Sequence, residues 1–334
     1  MVVEAGVSQS PTRTTILVGG NMGRNDGVDY QPKFAADFPQ ARFISIEGRP
    51  EVLEQYIEEA DAVIGDVPDR LLPRAGRLRW VQVTGAGANA LGSPGMLART
   101  DIVGTSCVGV HVASVPEHTL AMLLAFARRL PEQIINQHTD HRFYWPTGMF
   151  EIEGQTMGIL GLGHIGLALA RKAKGLGMRV TGWRRSEQQV EPGLLDHQYG
   201  PDELDKLLAG SDHVVICLPL TPDTRGLIGA RELGLMKRSA YLFNVGRGAV
   251  TDQDAVIAAL HNGTIAGCGT DVPEPEPLPA DHPLWSAPNL ILLTHYGGLT
   301  PKYGERAYAI ISENVRRFLA GEPLQNVVDK QRGY

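Results

Sequence analysis

Short apolar runs separated by longer, helix-compatible stretches organise the whole chain. In its first third these runs fall at Thr14–Gly19, Arg42–Ile46, Ala62–Gly65, Arg79–Val83 and Asp101–Gly104. Runs this short and this apolar predict strands buried on both faces, and their alternation with helices predicts a parallel sheet with helices on each side. From Ser114 to Leu130 the period lengthens: Val115, Leu120, Leu123, Leu124 and Phe126 keep a helical spacing. Pro116 and Glu117 occupy its first turn, where a missing amide costs nothing and a negative charge is favourable. A second series of strand-like runs follows at Thr156–Leu160, Met178–Thr181, Val214–Leu218, Ala240–Asn244, Ile265–Gly269 and Leu290–Thr294. They alternate with helical segments and predict a doubly wound nucleotide-binding domain. A last amphipathic helix, Pro301–Leu319, carries Ile310, Ile311, Val315 and Phe318 on one face. No tandem repeat is visible.

Composition narrows this picture only at its edges. With 334 residues the chain is long enough for two domains, each with its own core. A formal net charge of −6 argues against a general nucleic-acid binder. Cys107, Cys217 and Cys268 stand far apart, two of them in apolar runs, which predicts buried thiols of a cytoplasmic protein rather than a disulfide or metal framework. No basic segment followed by a long apolar one opens the chain, and no apolar run reaches membrane-spanning length, so no membrane partner is expected. Residues 1–12 read as a disordered lead-in.

The most specific chemistry lies at the start of the second series. Met157–Leu160 runs directly into Gly161, Gly163 and Gly166, and Ile165, Leu169, Ala170 and Leu176 follow on a helical period. This strand–glycines–helix context is that of a dinucleotide fingerprint: the first glycine for a tight turn, the second for approach of the pyrophosphate, the third for close helix–strand packing. The amides of His164 and Ile165 are then offered at a helix N-terminus, where the dipole favours an anion. The next strand leads into Gly182, Trp183, Arg184, Arg185 and Ser186, with no carboxylate to receive a ribose 2′-hydroxyl. Two arginines and a serine suit a 2′-phosphate instead, which predicts NADPH/NADP+ as cofactor. Were both arginines merely solvated, the site would be indifferent between NADPH and NADH.

Three further segments are distinctive together: Leu242–Asp252 (LFNVGRGAVTD), Gly269–Pro277 (GTDVPEPEP) and Asn289–Gly298 (NLILLTHYGG). In this order and spacing the chain resembles the NAD(P)-dependent D-2-hydroxyacid dehydrogenases from about Ala62 to Val327, most specifically between Val115 and Gly298. Its double arginine is similar to that of the NADPH-using glyoxylate and hydroxypyruvate reductases within that family. The resemblance implies that Arg247 binds the substrate carboxylate and polarises the carbonyl, that Glu276 orients the histidine, and that His295 transfers the proton. It places Asp271 near the nicotinamide carboxamide and Leu218, Pro219 and Thr221 in the cofactor wall, with Trp183, Val245, His295 and Gly297 counted on the same side. It makes the amides of Ala86 and Gly87 a second grip on the carboxylate, and Trp145 a pocket residue contributed by the partner subunit of a homodimer built through the helix Val115–Arg129. Two departures stand out: Thr294 replaces the proline usual before the histidine, which changes backbone stiffness more than chemistry, and Ser106 replaces a common asparagine.

The resemblance also fixes the expected architecture: α/β, two doubly wound parallel-sheet domains, with a Rossmann nucleotide-binding domain (residues 112–300) inserted in a flavodoxin-like substrate domain (residues 1–111, with 301–334 returning to it). The substrate would lie in a cleft between the two, with His111 and Thr300 near the crossovers.

The chemistry is coherent without the family. Reducing a 2-oxoacid needs a fixed cation for the carboxylate and a proton donor for the carbonyl oxygen as charge develops there. Arginine meets the first need with its fork, and histidine meets the second near neutrality when a carboxylate fixes its tautomer. Arg247, Glu276 and His295 each follow a strand-like run, which would gather them at one sheet edge. Each also has a plainer reading: Arg247 as a turn cap, Glu276 as a solvated charge, His295 as a turn residue, the Thr84–Asn89 loop as an ordinary turn, Trp145 as a core or contact residue. The expected activity is NADPH-dependent reduction of glyoxylate, hydroxypyruvate or a similar small 2-oxoacid to the D-2-hydroxyacid. Oxidation of a small anion such as phosphite, or a cofactor-sensing corepressor without catalysis, are the alternatives. His138 and His141 are spaced to share a metal, but no thiolate or carboxylate completes a shell, so no metal is expected. His111 and His118 read as hinge or packing histidines.

Overall fold

The computed structural model describes residues 13–20, 22, 27–185 and 190–333; the expected lead-in and Ser186 lie outside them. The chain divides into two compact units, one running up to Val110 and resuming at Thr300, the other spanning His111–Leu299.

The first unit is built on a five-stranded sheet of β1 (Thr15–Val18), β2 (Arg42–Ser45), β3 (Ala62–Ile64), β4 (Trp80–Gln82) and β5 (Val103–Thr105). Its order is β2-β1-β3-β4-β5 with every pair parallel, which is the flavodoxin-like winding. The central strands β1, β3 and β4 are buried along their whole length, so they carry continuous apolar runs rather than an alternation. The last helix, Tyr303–Ala320, belongs to this unit: Ala307, Tyr308, Ile311 and Val315 share a core with Ile16, Phe34, Ile64 and Trp80. Buried Asn314 fixes its register by donating to Gln82 Oε1 (3.0 Å) and to the carbonyl of Gln325 (3.0 Å). Gly321 ends the helix at φ +70°, a conformation glycine adopts without strain.

The second unit carries a seven-stranded parallel sheet: β6 (Thr156–Leu160), β7 (Arg179–Trp183), β8 (His197–Tyr199), β9 (His213–Ile216), β10 (Tyr241–Asn244), β11 (Gly267–Thr270) and β12 (Leu290–Leu292). The order β12-β11-β10-β9-β6-β7-β8 winds outward in both directions from β6 and β9, and the switch point between those two strands is where a doubly wound sheet opens a crevice for ligand. β6, β9 and β10 are buried throughout. The predicted fold class is therefore the observed one, two doubly wound α/β sheets.

Two elements differ from the sequence expectation. The helix that the spacing extends to Leu130 stops at Ala127, because Arg129 turns left-handed (φ +56°) and a separate helix, Leu130–His138, begins with Pro131 in its first turn. The short edge strand β8 had no apolar run to announce it. With one partner, β7, and half-exposed residues, it is held by backbone pairing rather than by burial.

Candidate active site

The three fingerprint glycines have different physical reasons to be glycine. Gly161 sits at φ +100°, and a Cβ there would stand 2.9 Å from the carbonyl oxygen of Cys217. A Cβ on Gly166 would fall 2.1 Å from the carbonyl oxygen of Gly161, so only glycine lets the helix His164–Gly175 start this close to β6. Gly163 is another matter. Its φ is an ordinary −83° and no protein atom lies within 4 Å of where its Cβ would be. None of the described residues requires glycine there, which leaves room for a phosphate to approach the helix N-terminus. The first-turn amides of His164 and Ile165 have no intrahelical acceptor and carry the positive end of the dipole. This cradle fits a dinucleotide pyrophosphate.

At the ribose end β7 extends to Trp183, two residues beyond the expected strand, and the indole donates to the carbonyl of Pro201 (3.3 Å). Arg184 follows with its amide on Tyr199 (3.3 Å), which ties it to β8. Arg185 lies beside Asp223, Nη1 to Oδ2 at 2.5 Å, so a carboxylate already shares one of the two guanidinium forks. Asp223 belongs to a turn that begins at Thr221, where the Thr221 amide donates to Thr224 Oγ1 (2.8 Å). Leu218 is buried and Pro219 exposed just ahead of this turn, past the carboxyl end of β9.

Arg247 is held by two backbone approaches. A Cβ on Gly246 would stand 2.5 Å from the carbonyl oxygen of Leu218, and one on Gly248 would stand 2.4 Å from that of Val272. The arginine is thus clamped between the segments that leave β9 and β11. Asn244, the last residue of β10, completes the clamp: its Oδ1 accepts from Gly246 N (3.1 Å) and its Nδ2 donates to the carbonyl of Arg247 (2.9 Å). Asn244 was not among the expected site residues; an amide closing an apolar strand just before Gly–Arg–Gly was the available signal. The half-buried guanidinium uses Nη1 on the carbonyl of Gly246 (2.7 Å) and forms no ion pair with a described carboxylate. It remains a cation fixed at its base and open to an anion. Val245 is buried beside it.

Glu276 and His295 meet directly: Nδ1 of the imidazole lies 2.7 Å from Oε2 of the carboxylate, with both side chains partly exposed. The ring atom left for chemistry is Nε2. His295 itself has φ +52°, in the left-handed region that few side chains adopt and histidine adopts more readily than most, and its turn is braced by its surroundings. Part of that hold is visible two residues on, where the buried amide of Gly297 donates to Asp271 Oδ2 (3.1 Å). Asp271 follows β11, and its Oδ1 is buried with no hydrogen-bond partner. A buried acceptor without a protein partner is available to a donor from water or from a ligand, and the carboxamide of a nicotinamide would be one such donor. His118, on the helix Ser114–Ala127, packs against the same carboxylate, Nε2 to Oδ2 at 3.4 Å, and meets Tyr296 edge-to-face.

Three sheet neighbours thus carry the expected triad: Arg247 beyond β10, Glu276 beyond β11 and His295 beyond β12, with the glycine cradle at the switch point of the same sheet. Ala86 and Gly87 belong to the first unit, in the loop at the carboxyl end of β4, where the Tyr303 phenol donates to the carbonyl of Thr84 (2.7 Å). Trp145 lies 82% exposed beside Phe143, which is 93% exposed, and so is not a core residue of this chain. Ser106 is buried and spends its amide on the carbonyl of Asn326 (3.1 Å). The three cysteines are free thiols, and burial pushes each up to about 12. Among the described residues no group of three metal-ligating side chains occurs, and no helix is long and apolar enough to cross a membrane.

Residues 120–297 match the model of the D-isomer specific 2-hydroxyacid dehydrogenase NAD binding domain. The chain is 36% identical over 298 residues to a glyoxylate reductase of Aeropyrum pernix, covering 84% of this chain and 86% of that one. It is 36% identical over 297 residues to glyoxylate/hydroxypyruvate reductase B of Pectobacterium carotovorum, covering 86% and 91%. Among solved structures, a D-isomer specific 2-hydroxyacid dehydrogenase from Xanthobacter autotrophicus in complex with NADPH and MES superposes with a TM-score of 0.80 at 31% identity, covering 96% of this chain and all of that one. With that match over more than half its length, and with relatives this similar over most of the rest, the chain belongs to the D-isomer specific 2-hydroxyacid dehydrogenase family.

Proposed function

We propose that this protein is an NADPH-dependent reductase of glyoxylate, hydroxypyruvate or a similar small 2-oxoacid, giving the D-2-hydroxyacid. The observation that carries the reading is the hydrogen-bonded Glu276–His295 pair on the same sheet edge as the clamped Arg247, which forms no ion pair among the described residues. Two relatives named as glyoxylate reductase and glyoxylate/hydroxypyruvate reductase support the substrate class. The NADPH held by the Xanthobacter structure, together with Arg184 and Arg185 where a ribose-binding carboxylate would stand, supports the cofactor. Residues 112–300 act as the NADP-binding domain, and 1–111 with 301–334 as the substrate domain.

Each residue then has a task. The bound cofactor supplies the hydride. Its pyrophosphate is received by Gly161, Gly163, His164, Ile165 and Gly166, its 2′-phosphate by Arg184, Arg185 and Ser186, and its carboxamide by Asp271. Trp183, Leu218, Pro219, Thr221, Val245 and Gly297 wall it in. Arg247 takes the substrate carboxylate through its fork and draws density from the adjacent carbonyl, with the Ala86 and Gly87 amides as second grip. His295 gives the proton from Nε2 to the carbonyl oxygen, while Glu276 on Nδ1 stabilises the imidazolium before the transfer and fixes the tautomer of the neutral imidazole after it. The active form is a homodimer in which exposed Phe143 and Trp145, with Leu130, Ile134 and Ile135 of the adjoining helix, meet a second copy, and Trp145 lines the partner's pocket. Three free thiols fit the cytoplasm.

Initial rates with NADPH and with NADH over 2-oxoacids from glyoxylate to phenylpyruvate test the proposal, with His295→Ala beside the wild type. NADPH-dependent turnover that vanishes in the variant while cofactor still binds is the expected result. Near-normal turnover of His295→Ala, or none by the wild type with any 2-oxoacid, overturns it. Light scattering of wild type and Trp145→Ala reads the dimer.

A further inference from the structure

His118 does more than fill space. It stands on the helix Ser114–Ala127, far in sequence from the triad, yet its ring lies against the two residues that follow His295, Tyr296 and Gly297. Its Nε2 lies 3.4 Å from Asp271 Oδ2, the oxygen that accepts the Gly297 amide at 3.1 Å. Its ring meets that of Tyr296 edge-to-face, with centroids 5.0 Å apart and an interplanar angle of 77°. A Cβ on Gly297 would come within 2.8 Å of His118 Cδ2 and 2.7 Å of Asp271 Oδ2, so glycine is the residue that lets this turn sit down on the pair. His295 enters this turn at φ +52°.

We infer that His118 is a positioning residue for His295: its imidazole packs against the Asp271 carboxylate that accepts the Gly297 amide and backs the Tyr296 ring, and by these packing contacts holds the His295–Gly297 turn in the conformation that presents Nε2 while Nδ1 rests on Glu276. The inference rests on the proposed role of His295 and deepens it. Asp271 is the charged group that faces His118 from the neighbouring strand, and the other face is closed by Tyr296. On its own helix the nearest charge, Glu117, is engaged outward with Lys172 (2.9 Å). The side chain is 10% exposed, and burial lowers the imidazole from its usual pKa against the opposing pull of Asp271.

His118→Phe keeps an aromatic ring behind Tyr296 and removes the nitrogen beside Asp271; His118→Gln returns a polar nitrogen at similar reach without the ring. Both are measured with glyoxylate and NADPH against the wild type and His295→Ala, across pH, with melting temperatures recorded. His118→Phe is expected to lose at least tenfold in kcat, with KM for glyoxylate changed less than about threefold and the pH profile of kcat displaced, and His118→Gln to recover most of the loss. Wild-type kcat and pH profile in His118→Phe overturn the inference, as do equal losses in both variants that follow melting temperature with the profile unmoved. His295→Ala separates the two claims: if it turns over normally, the role of His295 fails first, and if it is dead while His118→Phe is unaffected, only the role of His118 falls.

Discussion

Gly163 and Gly166 look alike in the sequence, but the structure gives them opposite reasons to be glycine, and this makes a sharp prediction. In Gly166→Ala the new methyl falls 2.1 Å from the carbonyl oxygen of Gly161, more than 1 Å inside ordinary contact, and a backbone carbonyl cannot swing aside as a side chain tip does. Overpacking of this kind costs about 3 kcal/mol at the upper end of its usual range, and each kcal/mol lowers the melting temperature of a domain of this size by roughly 2–4 °C, so a loss of up to about 12 °C is expected. In Gly163→Ala the methyl meets no protein atom within 4 Å at a φ of −83°. A poorer N-cap and a less flexible unfolded chain each amount to about 1 kcal/mol or less and act in opposite directions, so the melting temperature stays within about 3 °C of the wild type. That same methyl stands where the pyrophosphate has to approach. Losing two charge-assisted hydrogen bonds of about 1.5 kcal/mol or more each weakens NADPH by about 100-fold or more. Differential scanning fluorimetry of the ligand-free proteins, with NADPH titrated by quenching of tryptophan fluorescence, measures both quantities. If Gly163→Ala binds NADPH like the wild type, or melts as early as Gly166→Ala, the assignment of the second glycine to the ligand is wrong.

Three further outcomes follow from named contacts. Arg184→Ala is expected to raise KM for NADPH at least tenfold while changing that for NADH less than threefold; equal losses would remove the 2′-phosphate from this site. Arg247→Lys should raise the apparent KM for the oxoacid by about tenfold or more in steady-state assays, because a point charge does not replace a fork, and an unchanged KM and kcat would take the carboxylate elsewhere. His213 is buried against Phe150 and Tyr241, and burial depresses it from 6.5 to about 4. The folded protein therefore refuses a proton that the unfolded chain accepts, so this stability is complete above pH 6.5 and falls by about 3 kcal/mol as pH drops through 6.5 towards 4. Urea midpoints of wild type and His213→Phe at pH 7 and pH 4.5 read this directly, and an equally steep decline in the variant would refute it.

What the sequence makes legible, and what it hides, divides along a physical line. Strands buried on both faces, such as β6, β9 and β10, need an uninterrupted apolar run, and a run of that kind is visible in one dimension. β8 makes its case through backbone pairing to one neighbour, which leaves no trace in hydrophobicity. The helix that stops at Ala127 rather than Leu130 shows the same limit, because the left-handed turn at Arg129 is set by the chain's need to reverse before Pro131, not by the apolar period. The site divides likewise. Arg247, Glu276 and His295 are conspicuous because chemistry demands those residue types after strands. The groups that hold them are inconspicuous because their work is done at a distance in sequence. Asn244 clamps Arg247 through two backbone bonds that any amide at a strand end could make, and His118 reaches Gly297 across 179 residues of intervening numbering through Asp271. The left-handed backbone of His295, φ +52°, is the clue that joins the two levels, because the turn that follows it is touched by Asp271 and His118. The proposed reacting groups are thus written in residue types, and the contacts that hold them are backbone and packing contacts that only the folded sheet edge brings together.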